Sequence, residues 1–175
     1  MAEEYTTDEL AEWFRSKASA TASGQTARAK IFGATKRSYD TGLTGKLYVF
    51  KYDAKTRDKL EMWDKYPLCM VLERQFHSFM GLNLHYLPRA QRMSLLQGYD
   101  KYDEESEDGV ISGKGTSNWE LFLESMNNSG LGALPKKCLR RYLMTHVRSK
   151  FVEIYPDEFG YAIQLPIDLW SFKNI

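Results

Sequence analysis

The chain lacks most of the features that announce a chemistry. It has only two cysteines, Cys69 and Cys138, in 175 residues. Neither has a second cysteine or a histidine at metal-ligand spacing, so a zinc site or a disulfide framework is not expected. We read both as reduced, buried thiols in a protein assembled inside a cell. No apolar run is long enough to span a bilayer. The beginning, MAEEYTTDELAEW, is acidic and has no apolar stretch of the secretory kind. Charge of one sign is not in excess: the net charge is +1. That argues against a surface devoted wholly to nucleic acid, though not against a local basic patch. There is no GxSxG elbow, no HExxH helix and no internal repeat. Three histidines, His77, His85 and His146, sit on separate segments. Spread in this way they read as structural rather than catalytic, and an enzyme is not expected.

Two acidic or glycine-rich stretches invite a ligand and do not support one. Residues 103–108 are acidic but lack the alternating ligands, the glycine and the closing glutamate of a calcium loop. They read as a solvated loop spanning 99–115. The run Gly109-Val110-Ile111-Ser112-Gly113-Lys114-Gly115-Thr116 approaches a phosphate loop, but it is one residue short and follows no apolar strand. No cofactor and no metal are expected.

What is present is a body organised around residues 45–88. Residues 47–52 are aromatic and β-branched. Residues 67–72 are almost continuously apolar. Residues 79–87 alternate, with Leu82, Leu84 and Tyr86 opposite Asn83 and His85. Short length and period-two alternation predict three strands, and their short connections predict an antiparallel meander. Gly81 within the third strand marks a bulge or a close backbone approach. Three strands need a closing strand or a helical cover. Residues 161–165 are the expected closing strand. Pro88 opens a short helix. A further helix is expected after the Ser117–Glu120 capping box. Pro135 opens the longest expected helix, 136–151, with Leu139, Tyr142, Leu143, His146 and Val147 inward.

Ahead of this body lies an arm, residues 1–44, which we separate from a single domain at 45–175. Thr6 and Glu9 stand at capping-box spacing and start a short helix with Leu10, Trp13 and Phe14 on one side. So short a helix is marginal alone, and its Trp13–Phe14 face must dock either on its own domain or on a partner. Residues 16–45 are small and polar, with Arg28, Lys30, Lys36 and Arg37 and no acid before Asp40. That composition cannot order itself, so the arm is expected to take shape on neighbours.

The sharpest chemical signal is positive charge in the last expected helix. Lys136, Lys137, Arg140 and Arg141 make a one-sided basic end. Such an end grips either phosphates or acidic protein surfaces. The near-zero net charge favours protein assembly.

Four segments resemble a known family. They are Tyr52-Asp53-Ala54-Lys55, Trp63-Asp64-Lys65-Tyr66-Pro67-Leu68, the strand 81–87, and Arg141-Tyr142-Leu143 with His146, Arg148 and Ser149. Together they resemble small virion proteins of contractile-tailed, T4-like bacteriophages, over residues 45–96 and 137–169. Members are variously labelled baseplate components or protectors of DNA ends. The resemblance carries no catalytic residue. The strands, helices and arm read above lead us to expect an α+β fold: a small antiparallel SH3-like barrel or meander decorated by helices, with an extended N-terminal arm. The leading expectation is a non-enzymatic virion protein of the tail or baseplate. It would be present in several symmetric copies and bind other virion subunits through Trp13, Phe14, Arg28, Lys30, Lys36, Arg37, Lys136, Lys137, Arg140 and Arg141. The alternative is a nucleic-acid binder that guards packaged DNA ends at the head–neck. A hydrolase or nuclease is a third, weaker option.

Overall fold

The computed structural model describes residues 4–21, 45–60, 63–106 and 136–166. The arm cations Arg28, Lys30, Lys36 and Arg37, the glycine-rich run 109–116 and the expected helix after Ser117 lie outside the described residues. Five strands form one antiparallel sheet: β1 (Leu47–Val49), β2 (Leu68–Arg74), β3 (Ser78–Asn83), β4 (Leu139–Leu143) and β5 (Val152–Ile154). The order is β4-β3-β2-β1-β5, a meander with β5 added beyond β1. The described helices are α1 (Thr7–Ala20), α2 (Arg89–Ser106) and α3 (Phe159–Gln164). The α+β class and the meander hold. The expected SH3-like barrel does not, because the sheet is open, with β4 and β5 at its two edges.

Alternation along β1 divides the interior in two. Leu47 and Val49 face one side with Leu68, Met70, Leu82 and Ile154, and the three helices cover that side through Leu10, Phe14, Leu95, Leu96, Phe159 and Leu165. Tyr48 and Phe50 face the other, where Tyr52, Phe79, Tyr142 and Phe151 form an aromatic cluster. Gly81 lies on this second side against Tyr142. A Cβ there would collide with the Cys69 sulfur, so the close approach read from the sequence is the reason for glycine. The register irregularity falls across from it, between Val71 and Glu73 of β2.

The N-terminal helix docks on its own chain. Thr6 and Glu9 form the expected capping box: the Thr6 amide donates to Glu9 Oε2 at 2.7 Å and the Glu9 amide to Thr6 Oγ1 at 3.3 Å. Phe14 is buried in the helical side of the core. Trp13 stacks on Tyr161 at 5.4 Å and donates from Nε1 to Glu158 at 3.1 Å, where Lys17 also pairs. Burial pushes the Glu158 carboxyl up, but these partners and the Tyr155 amide outweigh it and hold it below the usual range. Arg92 of α2 is buried and gives Nη1 to the carbonyls of Ala162 and Leu165, at 2.9 and 2.7 Å. It thereby satisfies acceptors at the end of α3 and ties the two helices together.

Three assignments from the sequence are corrected. Residues 136–151 are not a helix: a short 3-10 turn (Lys136–Cys138) leads into β4, and a second (Met144–His146) follows it. The apolar spacing suits a helix, but Tyr142 finds Phe79 stacked at 5.1 Å and Phe50 and Tyr52 edge-on at 5.4 and 5.0 Å, a setting only a strand beside β3 provides. Residues 161–165 are not the closing strand. Pro156 and the return of Glu158 to the Tyr155 amide start a helix there, and Val152–Ile154 pairs with β1 instead. Finally, α2 continues to Ser106, into the segment expected to be loop. It contains one glycine and no proline, and a glycine inside a helix costs only about 1 kcal/mol.

Both thiols are buried, on opposite sides of the sheet. Burial pushes the Cys138 thiol from 9.0 up to about 11, and pushes Cys69 and the Tyr142 hydroxyl well up as well. The folded chain then holds protons that the unfolded chain releases. Their contribution is complete below the unfolded thiol value of 9.0 and is lost as pH climbs through about 11. Urea midpoints should be level on the neutral side of that window and fall across it; a flat profile through it contradicts the burial.

Candidate functional site

The aromatic side of the sheet opens into a cavity of about 340 Å³. It lies between β4 and the segment that links β1 to β2. Its walls include Tyr52, Lys55, Trp63, Asp64, Tyr86 and Arg140. Strand geometry puts Arg140 there: two residues from Tyr142, it projects to the same side. Its guanidinium lies over the Tyr86 ring at 4.9 Å, a cation–π distance. Arg140 Nε donates to the Lys137 carbonyl at 3.0 Å, which fixes the side chain's stem. Among the described residues no carboxylate pairs with it. Lys55 and the exposed Lys137 add positive charge nearby in the fold.

Beneath the cations is a buried polar network centred on Asp64. Asp64 Oδ2 accepts from Asn83 Nδ2 at 2.6 Å and meets His85 Nδ1 at 3.0 Å. A carboxylate only accepts, so Nδ1 carries the hydrogen. Asn83 also donates to the Tyr142 hydroxyl at 3.1 Å, and its Oδ1 accepts the His85 amide at 2.9 Å. That last bond ends β3 and starts the 3-10 turn Leu84–Tyr86, which is why alternation stops at Asn83. His85 is 1 % exposed and sits with the Phe14 ring edge-on at 5.3 Å. It does not line the cavity, so it positions Asp64 and presents no base to a ligand.

Three atoms of this neighbourhood are buried without a hydrogen-bond partner: Asp64 Oδ1, His85 Nε2 and the Tyr86 hydroxyl. Burial, then the Asp64 charge, pushes the Tyr86 phenol far up, so it remains protonated and able to donate. No hydrogen bond of good geometry joins the Tyr86 hydroxyl to Asp64, although the two influence each other. Among the described residues, no group of three or more His, Cys, Asp or Glu is arranged to hold a metal ion.

The structure separates the residues that the sequence grouped. Arg140 and Arg141 both border the cavity, but alternation along β4 sends their side chains to opposite sides, and the exposed Arg141 gives Nε to Ser78 Oγ at 3.0 Å. The one-sided basic helix therefore does not exist; on a strand, neighbours part. Lys137 is exposed and Lys136 begins the turn before β4. Trp13 and Phe14 belong to the helical side, away from the cavity. Sequence reasoning missed Lys55, Trp63, Asp64 and Tyr86. A signal was available: the four segments carrying the family resemblance all contribute to this one cavity.

No described helix is long and apolar enough to cross a membrane. Neither a curated protein nor a solved structure matches the chain. A family described as "Phage T4 terminal DNA protecting protein" matches residues 12–174, nearly the whole length and all of the cavity's walls. The chain belongs to the phage T4 terminal DNA protecting protein family.

Proposed function

We propose that this protein binds the ends of linear duplex DNA in the phage particle, at the head–neck, and shields them without cutting them. The family description supports this over the baseplate reading that the sequence favoured. The observation that carries it is Arg140: a cation stacked on Tyr86, without a carboxylate partner among the described residues, at a cavity walled by Tyr52 and Trp63. Aromatic faces beside unpaired cations are the usual means of holding bases and phosphates together. The near-zero net charge does not oppose it, because the cations that matter are local. The cations Arg28, Lys30, Lys36 and Arg37 lie outside the described residues, and we assign them to contacts with DNA or with other virion subunits. Asp64 and His85 serve to shape the cavity, with no reaction assigned to them.

Removing Arg140 and Lys55 together tests the reading. Each phosphate no longer neutralised should flatten the plot of log affinity against log salt by about 0.9. The double alanine variant should bind linear duplex at least tenfold more weakly at low salt, with a slope shallower by one to two such steps. Unchanged affinity and slope would overturn the assignment of this surface. Linear duplex incubated with the protein and magnesium should stay full length; shortened products would instead make it a nuclease.

A further inference from the structure

The geometry points to a pocket for one terminal nucleotide, whose base leaves the end of the duplex and enters the cavity beside Arg140. This rests on the DNA-end reading above and adds how an end is told from the interior. The volume, about 340 Å³, is at the small end of ligand pockets. It has room for a single nucleotide and none for a base pair with its two backbones. Trp63 and Tyr52 bring aromatic rings to its wall, the kind of group on which a base stacks. Arg140 and Lys55 supply the charge for the phosphate attached to it.

Asp64 and Asn83 bring polar side chains to the cavity wall. The Asp64 carboxylate is engaged by Asn83 and His85 and stands close to the Tyr86 hydroxyl, so the base is held by stacking and by charge rather than through its edge. Selection of ends follows from the cost of unstacking. A base inside a duplex must be unpaired and unstacked from both sides, at a few kcal/mol, whereas a terminal one is held on one side only.

The test places the change in the DNA, so protein folding is not in question. One linear duplex has both nucleotides of each terminal pair made abasic. A second carries the same abasic sites in the middle. At fixed low salt, the terminal abasic duplex should bind about tenfold more weakly than the unmodified one, as loss of one stacked base implies. The mid-abasic duplex should bind like the unmodified one. Trp63→Ala should bind unmodified and terminal-abasic duplex equally. Equal affinity of the wild-type protein for all three duplexes would remove the pocket and leave the DNA-end reading in place. No binding to any of them would remove both.

Discussion

Phe14→Ala should lower the unfolding free energy by about 3–5 kcal/mol, the range for a large aromatic deleted from a core. Phe14 is 2 % exposed and reaches the core from a helix of 14 residues. A helix of that length is marginal without tertiary support. Its other holds include Leu10 inside, the Trp13 stack on Tyr161, and the Trp13 and Lys17 bonds to Glu158 at the edge. Losing the ring should therefore release α1 as a unit and expose the buried His85 behind it. Phe14→Leu should restore much of the stability. Urea denaturation measures the free energy, and amide exchange along 7–20 shows whether the helix detaches before the sheet. A drop under about 1 kcal/mol, with α1 still protected, would show that this face is not what holds the helix.

Asp64→Ala is the second large effect. It removes the acceptor shared by Asn83 and His85 and leaves two buried donors facing an empty space. Each buried donor left unpaired costs about 1–3 kcal/mol. Asp64→Asn keeps the shape and one acceptor oxygen, and should cost clearly less. Asp64→Ala should also loosen the junction of β3 with its 3-10 turn, because Asn83 would lose one of the bonds that fix it. Thermal and urea unfolding of the pair of variants decides it; equal, small effects for both would mean that the network contributes shape alone.

Whether an element can be read from the sequence depends on which of its interactions are local. The capping box at Thr6 and Glu9 is legible because both partners lie within one turn. Strands β1 to β3 are legible because their alternation matches the two sides of a sheet. Gly81 is legible as a place where another group comes close, though not as one that faces the Cys69 sulfur. The segment 136–151 misleads because its apolar residues satisfy a helical spacing, while the aromatic partners of Tyr142 come from residues 50, 52 and 79. The closing strand escapes for a similar reason: Val152–Ile154 is short and becomes a strand only beside β1.

The site shows the same division. Arg140 is found from its charge, yet the inferred helix gives it Arg141 as a companion, which the strand sends to the other side. Asp64 is one carboxylate among 23 acidic residues. Its meaning comes from Asn83 and His85, which lie 19 and 21 residues away in sequence. No spacing rule links residues so placed; the sheet does.

The most direct test of end recognition is the affinity of the protein for one duplex in two forms, linear and covalently closed into a circle, at the same low salt. Sequence, length and phosphate charge are then identical, and only the ends differ. The linear form should bind at least tenfold more tightly and compete with other linear duplexes, while the circle competes weakly. Equal affinity for the two forms would contradict the account, because a surface that grips phosphates without regard to ends would not need the cavity beside Arg140.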